Sequence, residues 1–214
     1  MQPIADIRKE YKQETLNEKD IQPNAYAQFE KWWDEALKSG LDEVNAMTLA
    51  TVNEDGTPAA RIVLLKGYSP NGFVFYTNYN SNKAKQIDNS GKVALLFFWA
   101  PLERQIRITG SVSKVSEEES DTYFNSRPAG SKIGAWASPQ SLPIFNREVI
   151  EENEKKYTEK FSDTATIPRP PHWGGYIVKP TQIEFWQGRP SRLHDRILYS
   201  LQTDKSWKIE RLAP

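Results

Sequence analysis

Cysteine is absent from all 214 residues, which excludes disulfides, thiolate nucleophiles and cysteine-ligated metals. Histidine is nearly absent. Two isolated residues do not make a histidine-built metal centre, so no metal is expected. Net charge is lacking as well: 28 Lys+Arg stand against 28 Asp+Glu. A general nucleic-acid or anionic-membrane binder carries a basic excess, so neither partner is expected. No apolar run has membrane-spanning length, and the opening MQPIADIRKEYKQE has no apolar core, so a soluble cytoplasmic protein is the expectation. Neither a GxGxxG nor a GxxxxGK[ST] motif occurs, and the regular βα alternation of a dinucleotide fold is missing.

What is present suffices for one domain with a core: 38% hydrophobic and 12% aromatic residues. Residues 1–23 are polar and read as a mobile or lid-like segment, with a short helix possible around Ile7–Tyr11. Residues 24–214 read as the single folded unit. Phe29, Trp32, Trp33, Ala36 and Leu37 follow helical spacing, with Asn24 as N-cap and Gly40 as stop. Ala46–Val52, Ala59–Lys66 and Phe73–Thr77 read as strands separated by NEDG and SPNG turns, which predicts an antiparallel meander. Ser81 opens a short helix. KVALLFFW (92–99) reads as a strand buried on both sides, and 104–115 as its neighbour, with Gln105, Arg107, Thr109 and Ser111 on one face. Ser116-x-x-Glu119 is a capping box. Helices are expected from there to Arg127, over 131–136 and over 146–161. Strands are expected over 175–180, 182–187, 193–201 and 207–212. The fold class is mainly β with inserted helices, a decorated barrel or sandwich.

The stretch most suggestive of chemistry is IEFWQGRPSRLHDR (183–196). If Arg192–Tyr199 is a strand, Arg192, His194 and Arg196 share one face. Two guanidiniums and an imidazole cannot be buried unpaired, so they face either water or an anion. Arg61 and Lys66 bracket an apolar strand on opposite faces, as ligand contacts or as charges snorkelling at strand ends. Lys83 follows a helix start that suits either an anion or a plain cap. Tyr123, Arg127 and Ser131, spaced by four, match a phosphate ester. Gln105, Gln140 and Ser141 offer neutral donors and acceptors of the kind a heterocycle needs. Cations and amides without a nucleophilic triad point to a cofactor that carries the chemistry.

RIVLLK (61–66), FYTN (75–78), SNKAKQI (81–87), LERQIRITG (102–110), YFNSRPAGSKIGAWAS (123–138), IEFWQGRPSRLHDR (183–196) and the ending ERLAP together resemble the pyridoxine/pyridoxamine 5′-phosphate oxidase family, in order and spacing. The resemblance runs from about Arg8 to Pro214. It implies a split β-barrel with a Greek-key-like antiparallel sheet and a homodimer with FMN at the interface. The implied reaction oxidises pyridoxine or pyridoxamine 5′-phosphate to pyridoxal 5′-phosphate, with O2 as acceptor and H2O2 released. By motif position it places FMN against Arg61, Ile62, Val63, Leu64, Leu65, Lys66, Tyr76, Thr77, Lys83, Gln105, Gln140, Ser141, Trp186 and Arg196. It places substrate against Lys66, Tyr123, Arg127, Ser131, Arg192 and His194, the last two as catalytic residues, under a lid carrying Arg8 and Tyr11. Arg189 falls in the variable part of the motif and reads as a solvated turn residue. Asn82 stands where the family usually has arginine, which implies weaker FMN retention. Rival readings are a simpler flavoprotein of the same barrel and a non-enzymatic vitamin B6 phosphate carrier. The RLHDR block speaks against the first, and flavin and substrate motifs in one chain speak against the second.

Overall fold

The computed structural model describes residues 3–7 and 9–214. Its strands are β1 (Ala46–Val52), β2 (Pro58–Leu64), β3 (Gly67–Ser69), β4 (Gly72–Asn78), β5 (Lys92–Trp99), β6 (Arg104–Lys114), β7 (Trp173–Gln187), β8 (Asp195–Leu201) and β9 (Trp207–Leu212). Its α-helices are α1 (Ala25–Lys38), α2 (Asn82–Ser90), α3 (Glu117–Ser126), α4 (Ala129–Ala137) and α5 (Glu148–Lys160). A short 3-10 turn over Ile4–Asp6 precedes the stretch where a helix around Ile7–Tyr11 was expected, and the described residues of that stretch are not helical.

Turn chemistry sets the first pairings. Asp55 accepts from the Thr57 N–H, and Asn53 N–H bonds the Thr57 carbonyl, closing the β1–β2 hairpin. A second hairpin joins β3 to β4. The expected meander nevertheless breaks between them, because β2 and β3 do not pair: the order is β2-β1-β5-β6-β7-β4-β3. Leu65 N–H still bonds Asn45 beside β1, whereas Lys66 N–H bonds Val74 on β4. Two residues thus link the two outermost strands of that path. The sheet must curl until those two strands approach without pairing, which makes a split rather than a closed barrel.

Helix α1 fills the barrel. The Asn24 side chain caps it by accepting from Tyr26 N–H. Phe29, Trp32 and Ala36 are buried, and Phe29 packs edge-on against Phe73, Phe97 and Tyr68 while Trp32 meets Phe185. Leu37, expected on this apolar face, is exposed. Arg104 stacks on Trp32 and pairs with Glu35, tying α1 to the barrel wall.

Two more expectations are corrected. The 175–180 and 182–187 segments are one strand, β7, which passes through Pro180 with a register shift opposite Thr109/Gly110. Its first half pairs with β4 and its second with β8, so the sheet forks there. Strand β5 is not buried on both faces. Val93, Leu95, Phe97 and Trp99 point inward, while the outer row ends in Phe98, 55% exposed. Ile62 on β2 is 65% exposed, so the outer sheet face carries uncovered apolar residues.

Candidate active site

The connection between β2 and β3, the end of β4, the start of α2 and the α3–α4 junction enclose a cavity of about 640 Å³. Ile62, Val63, Leu64 and Lys66 line one wall; Tyr76, Thr77 and Lys83 line the floor; Tyr123, Arg127, Ser131 and Gln140 line the other. The Tyr123/Arg127/Ser131 spacing survives the break at Pro128, because α4 resumes at Ala129. The predicted opposition of Arg61 and Lys66 is resolved by the strand ending at Leu64, which lets Lys66 turn into the cavity.

Arg61 lies behind the wall and donates to Leu49 O (3.1 Å), Thr51 Oγ1 (2.5 Å) and Gln86 Oε1 (3.0 Å). Lys83 Nζ donates to Gln140 Oε1 at 3.3 Å, and Thr77 Oγ1 donates to the same oxygen. Burial, and then the charge of Arg61, lower the Lys83 pKa; burial lowers that of Arg61. Arg127 is lowered by burial too, and its Nη1 is buried with no hydrogen-bond partner. Among the described residues, none of Arg61, Lys66, Lys83 or Arg127 pairs with a carboxylate. The start of α2 is open as well. The Ser81 hydroxyl donates to Asn78 O instead of capping the helix, correcting the expected side-chain cap. First-turn N–H groups and several unneutralised cations around one cavity fit an anion from outside the chain.

A second cluster lies at the C-terminal end of β7. The His194 ring is 4.6 Å from that of Trp186, and Tyr11 lies edge-on to both at 5.7 and 5.9 Å. Gly188 makes room for Tyr11, since a Cβ there would come within 2.7 Å of its ring. Arg189 N–H donates to His194 Nδ1 at 3.1 Å, which fixes the neutral tautomer with the proton on Nε2. Burial, then repulsion from Arg192, lower the His194 pKa against a smaller opposing pull from Asp195.

The strand expected over 193–201 begins only at Asp195. Ser191 and Arg192 have positive φ (56° and 63°), so Arg192 leaves the face it was expected to share and is exposed. Arg189 is not a free turn residue, since it pairs with Asp195 at 3.3 Å. Arg196 forks onto Glu184 (2.8 and 3.2 Å) and donates to Ala213 O. Glu184, 3% exposed, also takes Arg107.

Gln105, Trp186, Arg192, His194 and Arg196 do not line the cavity. Tyr76 lies opposite Gly175, eleven residues before Trp186 on β7; that is roughly 35 Å of strand. Leu65 turns into the core, and Ser141 is exposed at φ 72°, outside the lining. Arg8 lies outside the described residues. Asn78, Ser138 and Trp173 line the cavity without having been anticipated. So do the carboxylates Glu103, Glu184 and Asp195 hold the second cluster: Glu103 accepts from Lys12 and Gln13 N–H, and Asp195 from Leu16 N–H. None of these has a spacing signal. No cluster of metal-ligating side chains occurs among the described residues, and none of their helices is long and apolar enough to cross a membrane.

Residues 33–161 match the family described as "Pyridoxamine 5'-phosphate oxidase", and residues 173–214 match "Pyridoxine 5'-phosphate oxidase C-terminal dimerisation region". A pyridoxine/pyridoxamine 5'-phosphate oxidase of Nostoc sp. is 55% identical over 211 residues, 99% of this chain and 98% of that one. One of Cupriavidus necator is 53% identical over 214 residues, all of both chains. Among solved structures, PhzG from Burkholderia lata 383 in complex with tetrahydrophenazine-1-carboxylic acid superposes with a TM-score of 0.87 at 26% identity, covering 94% of this chain and 99% of that one. A pyridoxamine 5'-phosphate oxidase-related, FMN binding protein from Nostoc punctiforme shares the fold, with a TM-score of 0.71 at 18% identity over 91% of this chain and all of that one. With its two parts matched in order and relatives more than half identical along its length, the chain belongs to the pyridoxamine 5'-phosphate oxidase family.

Proposed function

We propose that this protein oxidises pyridoxine or pyridoxamine 5'-phosphate to pyridoxal 5'-phosphate with FMN. The alcohol substrate with O2 yields the aldehyde and H2O2; the amine with O2 and water yields the aldehyde, ammonia and H2O2. The observation that carries the reading is the cavity rim of cations without carboxylates, above all the buried, unpartnered Nη1 of Arg127. That donor set fits two phosphates, one on the substrate and one on the cofactor. Lys66, Tyr123, Arg127 and Ser131 hold the first. Lys83 and the open first turn of α2 hold the second, with Arg61 adding its charge from behind the wall. Tyr76, Thr77, Gln140 and the backbone of 62–65 run along the flavin, and Ser141 reaches it from beside the lining. The chemistry supplied by bound FMN is hydride acceptance, with electrons passed on to dioxygen.

The C-terminal cluster completes the site from a second copy of the chain. Supporting this are its distance along β7, the dimerisation-region match of residues 173–214 and the exposed Ile62 and Phe98 on the outer sheet face. From there Gln105, Trp186 and Arg196 reach the flavin, and Arg192 and His194 cover the substrate. His194, neutral with Nε2–H outward, donates a hydrogen bond to the substrate ring substituent. Its Nδ1 is already occupied by Arg189 N–H, so it does not take up a proton there. Residues 1–23 act as a strap over the domain formed by 24–214. The strap is held by Glu103 and Asp195 and carries Tyr11 onto the substrate.

The test is a visible spectrum of the purified protein, followed by addition of pyridoxamine 5'-phosphate in air. A flavin spectrum with pyridoxal 5'-phosphate and peroxide formed together is expected. Protein without flavin would support the carrier reading, and flavin without turnover would support a simpler flavoprotein.

A further inference from the structure

Trp173 opens β7 at the mouth of the cavity. The Arg127 guanidinium lies over its indole, 4.5 Å from the ring centroid. Arg127 is the C-cap of α3, with extended backbone, so its side chain leaves the helix rather than running along it. A guanidinium stacked by its face keeps its N–H edge free in the plane, which is the geometry that forks onto two phosphate oxygens.

Trp173 is itself held firmly. It lies nearly parallel to Tyr76 (5.4 Å, 11°) and Tyr123 (6.1 Å, 8°), and Phe124 meets it edge-on. Its carbonyl accepts from Arg169 Nη1 at 2.7 Å, and Arg169 pairs with Asp121 at 2.5 Å. Gly175 makes room for this stack, because a Cβ there would come within 2.7 Å of the Tyr76 ring.

A carboxylate would also orient an arginine, but it would cancel the charge and repel an incoming phosphate. An indole orients it through its quadrupole and adds no formal charge. We propose that Trp173 is the positioning residue for phosphate recognition, holding Arg127 edge-on to the cavity with its charge unspent. This rests on the oxidase reading given above.

The test compares wild-type holoenzyme with Trp173→Leu and Trp173→Phe, measuring KM and kcat for pyridoxamine 5'-phosphate, the inhibition constant of inorganic phosphate, and FMN affinity. For Trp173→Leu, both KM and the phosphate inhibition constant should rise roughly tenfold, with kcat at saturation and FMN affinity largely kept. Trp173→Phe, which retains an aromatic face, should recover part of the loss. Unchanged KM would overturn the proposal, and so would a parallel fall in kcat and FMN affinity, which marks a merely structural role. Direct calorimetric titration with inorganic phosphate separates this from the oxidase reading. A wild-type protein without turnover whose phosphate affinity still drops in both variants would sink the oxidase function and keep the role of Trp173.

Discussion

The two arginine-rich regions of this protein treat charge in opposite ways. Around the cavity, Arg61 rests on neutral acceptors and Arg127 on an indole ring. At the far end of β7, Arg189 and Arg211 share Asp195, Arg211 also clasps Glu18, and Arg107 and Arg196 share Glu184. Arginine count alone does not separate a binding site from a scaffold; the location of the compensating carboxylates does. The first region is prepared for an outside anion. The second, Arg192 apart, is neutralised internally and holds its aromatic rings and the N-terminal strap in place.

This contrast breaks most visibly at Arg127. Arg127→Ala should lower kcat/KM for pyridoxamine 5'-phosphate by roughly a hundredfold, the scale of a lost charge-assisted, bidentate contact. Its thermal stability should change little, because the lost stacking on Trp173 is offset by removal of a half-buried charge without a carboxylate partner. Steady-state kinetics and a melting curve check both halves. The opposite pattern is expected at Glu184. Glu184→Ala leaves Arg107 and Arg196 facing each other, and should cost about 2 kcal/mol of stability in denaturant titration. That figure lies below the range for fully buried pairs because Arg107 is itself half exposed.

The same contrast marks what was legible in the sequence. Hairpin turns, the Asn24 cap and the α1 periodicity are local, and strands β1 and β9 lie within the predicted limits. The cavity cations stood out because charge beside apolar runs is a local pattern. The meander misled because local turns do not reveal that the β2–β3 connection jumps between sheet edges. Placing Arg192 and His194 on a strand misled for a related reason: two successive positive-φ residues interrupt an otherwise alternating pattern. Glu103, Glu184, Asp195 and Trp173 gave no signal, since each acts on partners far away in the chain. The separation of the candidate residues into two regions is a property of the fold and could not be read from motif order.

A finer effect concerns His194, whose proton affinity is lowered by burial and by Arg192. NMR titration should give a midpoint below the ordinary 6.5, and Arg192→Leu should move it upward by removing the repulsion. Because the unfolded chain binds this proton more readily than the folded one, the contribution to stability is complete above pH 6.5. It is lost as the pH falls below that value. The smallest change is expected from Asn82→Arg. Asn82 is exposed in the first turn of α2, and a cation there should tighten FMN binding about threefold, measured by fluorescence titration. Unchanged or weaker binding would remove this position from the phosphate site.

The most direct test of the account is complementation between the regions. A cavity variant, Lys66→Ala/Arg127→Ala, and a cluster variant, Arg192→Ala/His194→Ala, are each expected to be nearly inactive. Unfolded and refolded together, they should regain roughly a quarter of wild-type activity, because random pairing gives half the dimers one intact site of two. Activity no greater than the two parents combined would contradict a site built from two copies of the chain.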